Sequence, residues 1–94
     1  MHRRLLDVTA YTTLDFVEAS ALGVDWTEAA PAVVDVGTPE DHEDIDGVVR
    51  LSVELDGTEL RRVEPHVDRL DLSTAQARTL AADLIEYADR VDDD

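Results

Sequence analysis

The chain has no cysteine and no lysine, only four glycines and three prolines, and four aromatic side chains outside histidine. Without cysteine, disulfides and thiolate metal sites are excluded. With so little glycine and proline, neither a linker nor a low-complexity chain is expected. No stretch approaches the roughly 18 apolar residues that a membrane helix needs. No charged leader runs into an apolar core at the start, so a secretory signal peptide is not expected despite Arg3 and Arg4. Base-rich segments are missing too: residues 5–49 hold eleven acids and no arginine.

What is present is charge of one sign. Twenty-three acids face eight bases over 94 residues, a net charge of −15. Such a chain repels nucleic acid and anionic membranes, so direct binding to either is not expected. Its charged partners are basic proteins, polyamines or divalent metals. An all-arginine complement fits a GC-rich coding sequence, and an acidic surface fits a salt-rich cytoplasm. High net charge with few aromatics leans towards disorder. Against that stand 12 Val, 11 Leu, 2 Ile and 11 Ala, grouped in periodic blocks. One folded domain over residues 1–94 is expected, burying roughly 60–65% of its unfolded surface.

The last third is the clearest element. Ser73 and Gln76 form a capping box, with Leu72 and Ala77 in the staple positions. Apolar residues then recur at Ala77, Leu80, Ala81, Leu84, Ile85, Ala88 and Val91, which is helical spacing over about 74–91. Glu86 and Arg90 stand in the favourable i,i+4 order. Before this helix, Val49, Leu51, Val53 and Leu55 alternate with polar residues, a half-buried strand. Asp56-Gly57 follows as a turn signal and predicts a tight hairpin, with Val53 facing Leu60 and Glu54 facing Glu59. That acid pair is unfavourable, and the apolar phase changes along the return, so a bulge or kink is expected near Arg61-Arg62 or Pro65. Ala32–Val36, framed by Pro31 and Gly37, reads as another strand. At the N-terminus, a strand over about 5–11 and a short helix over about 14–22 are expected. The fold class is therefore α+β: a small, mostly antiparallel sheet of three or four strands packed by the C-terminal helix.

Residues that carry chemistry are sparse. His42 to Gly47 brushes against a calcium loop, with Asp44, Asp46 and Gly47 at the third, fifth and sixth positions. Its first ligand is an imidazole, and Val53 stands where a bidentate glutamate belongs. Weak attraction of divalent cations to the acidic run 40–46 is the alternative reading. His2, His42 and His66 have no ligand spacing among them. Ser20, Ser52 and Ser73 lack the surroundings of an activated nucleophile. No phosphate-binding glycine motif occurs. No catalytic, cofactor or metal residue is assigned, and enzyme activity is not expected.

Four residues are candidates for contact with a partner. Trp26, the sole tryptophan, is an interface anchor or a lid on one end of a small core. Arg50, Arg61 and Arg62 belong to the arginine-bearing second half and can grip an acidic surface. Six of the eight arginines lie from position 50 onward. Pairing the acidic half of one copy with the arginine half of another gives a homodimer, whereas neutralisation within one domain needs no partner. The pattern Leu72, Ser73, Gln76, Ala77, Leu80, Ala81, Leu84 resembles the closing helix of small uncharacterised proteins from actinobacteria and their phages. That resemblance implies an arginine-using, GC-rich source and a cytoplasmic setting, and it carries over no activity. The expected function is a non-enzymatic interaction or regulatory module, acting on another protein or on itself. The competing readings are an acidic DNA-mimic inhibitor of a nucleic-acid-binding protein and a weak divalent-cation binder.

Overall fold

The computed structural model describes residues 13–57 and 60–93. Four strands, β1 (Thr13–Leu22), β2 (Thr27–Gly37), β3 (Val48–Leu55) and β4 (Asp68–Ser73), form one antiparallel meander in the order β1-β2-β3-β4. A 3-10 turn, Asp41–Glu43, interrupts the β2–β3 connection. The helix α1 (Thr74–Asp92) follows β4 without a break. The fold is α+β, with a four-stranded sheet and one C-terminal helix, as the periodicities predict.

The expected helix over 14–22 is instead strand β1. The apolar residues there satisfy either period, and a bulge explains why neither pattern runs cleanly. Leu14 pairs with Val34 and Val17 with Ala32, so two residues of β1 oppose the single Val33. The extra residue flips the phase, and the apolar face passes from Leu14 before the bulge to Val17, Ala19 and Ala21 after it. Phe16 takes up the irregularity with φ of 61°. The strand expected over 5–11 lies outside the described residues.

The tight hairpin at Asp56-Gly57 is also corrected. β3 pairs with β4, Val49 opposite Leu72 and Leu51 opposite Leu70, and a long connection over 56–67 replaces the two-residue turn. This register sets leucine against aliphatic partners. It also avoids placing Glu54 opposite Glu59, which like-charge repulsion disfavours. The phase change expected as a bulge near Arg61-Arg62 or Pro65 is the passage through this connection. Pro31 sits inside β2 because β3 ends at its neighbour: Ala32 is the last residue paired with Leu55. Its carbonyl accepts from Asp56 N at 2.8 Å, and a residue with no N–H to donate suits this position just past the last β2–β3 pair.

Alternation gives the sheet two unlike faces. One carries Val17, Ala19, Ala32, Val34, Leu51, Val53 and Leu70. The other carries Val33, Asp35, Arg50, Ser52, Glu54 and Asp71. Burial does not follow polarity, and each face holds one buried aliphatic residue, Ala32 on the apolar face and Val33 on the polar one. Ser52 and Glu54, at 4% and 3% exposure, lie on the polar face with buried Val33, while Val36 and Leu70 on the apolar face are exposed.

Candidate interaction surface

The capping box that starts α1 forms as the sequence specifies. Ser73 Oγ accepts from Gln76 N at 3.1 Å, and Gln76 Oε1 accepts from Ser73 N at 2.9 Å. Two orphan donors of the first turn are thus satisfied by side chains. Glu86 and Arg90 pair at 2.8 Å, and the Arg90 guanidinium lies 4.7 Å from the centre of the Tyr87 ring. The helix packs lightly on β3 and β4. Ala77 is its only half-buried position, and the rest of the helix is exposed. Leu84 and Ile85 are each 64% exposed and Val91 71%, with Leu80 and Tyr87 also open. These side chains share one broad face of the helix, because they fall on the 3.6-residue period.

The four residues singled out from sequence separate into two groups. Trp26, Arg61 and Arg62 come to one end of the sheet, where a meander places both its β1–β2 turn and its β3–β4 connection. Gly23 N donates to Trp26 O at 2.8 Å to close the turn. The indole lies over Gly23, where an added Cβ would fall 1.9 Å from Nε1. Trp26 is therefore half-buried against its own turn, with Val24 fully exposed at the tip. The backbone N–H groups of Arg61 and Arg62 donate to the Glu28 carboxylate, the first at 2.9 Å. Glu28 tethers the β3–β4 connection to β2 and leaves both arginine side chains exposed. This tether was invisible in the sequence, because 33 residues separate Glu28 from Arg61.

Arg50 lies at the other end. Its Nε donates to Asp71 Oδ1 at 2.8 Å and its Nη1 to Glu43 Oε2 at 2.9 Å. The guanidinium thereby joins β3, β4 and the 3-10 turn, and its side chain is 13% exposed. Hydrogen bonds from Arg50 hold the Asp71 and Glu43 carboxyls below the usual carboxylate range. The same bonds push the guanidinium further above its already high value, so it stays charged at any working pH. Arg50 is thus occupied by carboxylates of its own chain, as neutralisation within one domain requires.

The acidic connection 38–47 shapes an open hollow lined by Glu40, Asp41, Asp44 and Asp46. Glu43 Oε2 accepts from Glu40 N at 2.9 Å, and Asp44 closes the 3-10 turn in the left-handed region at φ of 55°. Among the described residues no three His, Asp or Glu side chains converge as a metal site. A shallow groove of about 640 Å³ runs along β1 and β2, lined by Phe16, Ala19, Ala29, Ala30 and Pro31 with Glu18 and Ser20. No described helix is long and apolar enough to cross a membrane.

Residues 1–93 match the model of a family of unknown function, DUF6360, and the chain belongs to that family. No curated protein and no solved structure matches it.

Proposed function

We propose that this member of the DUF6360 family is a non-enzymatic protein-interaction module that works through its surface, and that α1 is the element it presents. One observation carries the reading: a 19-residue helix, amphipathic and held by a capping box at its N-terminus, buries none of its residues. A helix this exposed gains nothing from its apolar face unless something covers it, since most helical stability in proteins comes from packing that face. The apolar side chains from Leu80 to Val91 expose on the order of 600 Å², the top of the range of roughly 300–600 Å² found for the largest patch on a monomer. Acidic surface elsewhere keeps such a patch compatible with solubility. The cytoplasm of an arginine-using, GC-rich source, actinobacterial or phage, belongs to the same proposal as the setting that the closing-helix pattern implies. The test is association by light scattering, together with capture from lysate of the source, for the wild type and for Leu84→Glu. The expected result is self-association or a retained protein that Leu84→Glu abolishes. A monomer at every concentration, retaining nothing beyond what Leu84→Glu retains, overturns the reading.

A further inference from the structure

We propose that α1 pairs antiparallel with α1 of a second copy of this chain, about a two-fold axis near Glu86. The register sets Ala81 against the partner's Val91 and Leu84 against the partner's Ala88. The inference rests on reading the chain as an interaction module and names its partner.

Three observations carry it. The first is spacing. Ala77, Ala81, Leu84, Ala88 and Val91 follow one another at intervals of four, three, four and three. That is the spacing of a coiled-pair seam, set within a broader apolar face that Leu80, Ile85 and Tyr87 complete on its two flanks. Alternation of small and large residues along the seam lets each layer set an alanine against a larger side chain, as close packing requires. Ile85 then meets its own copy on one side of the seam and Tyr87 its own copy on the other, closing both flanks symmetrically.

The second is charge. Arg78 and Asp92 lie on the Ile85 side of the seam, and neither forms an ion pair among the described residues. In this register Arg78 reaches the partner's Asp92, twice by symmetry. Asp83, Glu86 and Asp89 fall on the outer face. The two macrodipoles run in opposition, which is the favourable sense. A parallel pair would instead stack Asp92 and Asp93 on their own copies.

The third is space. The helix is joined to the sheet at Ser73. In the proposed register the partner's Val91 and Asp92 lie beside Ala81 and Arg78, more than a turn beyond that junction. A shift of one heptad would run the partner's Asp92 and Asp93 back onto Ser73 and Leu72 at that junction and set Arg78 against the partner's Ile85. Covering the exposed helix face on both copies buries about 1,200 Å², where standard interfaces begin.

The chain contains no cysteine, so a single introduced thiol is a unique reporter. Ile85→Cys treated with a short bismaleimide is expected to give a covalent dimer, and Ala82→Cys, on the outer face, is not. Sedimentation equilibrium should show a dimer for the wild type and a monomer for Leu84→Glu, with helicity retained because position 84 is already exposed. Arg78→Asp or Asp92→Arg alone should weaken the dimer about tenfold, and the two together should restore it. A wild type that stays monomeric, a dimer that survives Leu84→Glu, or equal crosslinking at 82 and 85 overturns the pairing. A monomer that nonetheless retains another protein through α1 overturns the pairing and leaves the module reading standing. A monomer that retains nothing overturns both.

Discussion

Ser73→Ala removes the hydroxyl that accepts from Gln76 N at 3.1 Å and leaves that N–H without its acceptor, while the backbone donor at 73 to Gln76 Oε1 is kept. Loss of such a cap costs about 1 kcal/mol. In a helix packed into a core, that cost spreads over the global unfolding equilibrium. Here α1 leans on β3 and β4 only lightly, so the helix can open while the sheet stays intact. A cost of about 1 kcal/mol is roughly a fivefold shift in that local opening, since each 1.4 kcal/mol is tenfold. The assay is amide hydrogen exchange on dilute protein, where helix pairing does not contribute. Protection over residues 77–88 should fall about fivefold, with far-UV helical dichroism falling only by the added open fraction. Protection in β2 and β3 should not change. Ser73→Thr should restore nearly all of it, because threonine also caps. If protection in β2 and β3 falls in step with the helix, the two open together and the reasoning fails.

Salt should stabilise the fold. With a net charge of −15, raising ionic strength from 0.1 to 1 M shortens the screening length from about 10 to 3 Å and relieves self-repulsion. Thermal melts should move upward across that range, and flat or falling midpoints would contradict this. His66 should titrate above the ordinary histidine value, read by the shift of its ring protons. Its Nδ1 donates to Glu64 O at 2.6 Å, and Asp68 lies 3.2 Å from Nε2. The sign follows from the raised value. The protonated form is favoured in the fold, so its contribution is complete below the unfolded histidine value and is lost as pH rises through the folded one. His66→Gln should remove that pH dependence. Gly23→Ala should expel the indole from the β1–β2 turn, because the new Cβ would overlap it. A red shift of the single-tryptophan emission checks this, and an unchanged spectrum would place the ring elsewhere.

The helix was legible because its signals are local. Ser73, Gln76, Leu72 and Ala77 lie within one turn of each other, and their spacing specifies the cap without any distant partner. The apolar alternation of β3 and the core of β2 were legible for the same reason. β1 was misread because one bulged residue changes the period in mid-strand, and a bulge is visible only against its partner strand. The β3–β4 pairing was misread because Asp56-Gly57 is a strong local turn signal, whereas the competing register depends on Leu70 and Leu72 meeting Leu51 and Val49 across a long connection. The candidate site divides in the same way. Arg50 could be named from composition, but its Asp71 partner follows only from the register that sets them opposite each other. The amphipathic stripe of α1 could also be read. That the sheet would leave it uncovered could not, because both packings satisfy the same sequence.

The mixed burial of the two sheet faces bears on what α1 is for. Ser52 and Glu54 are buried on the polar face while Val36 and Leu70 stay open on the apolar one. A helix serving as the lid of a two-layer core would reverse this, since its apolar stripe would lie across Val36, Leu51 and Leu70. Instead α1 packs on β3 and β4 only near its start, where Ala77 is half-buried, and its stripe from Leu80 to Val91 stays exposed. Fully buried apolar side chains are few among the described residues, Ala32 and Val33. On the proposed reading, additional burial comes from contact with a second copy of this chain. Antiparallel pairing of α1 covers the helical surface without calling on the sheet. It also keeps the acids at 83, 86 and 89 in water, where a strongly negative chain can best accommodate them.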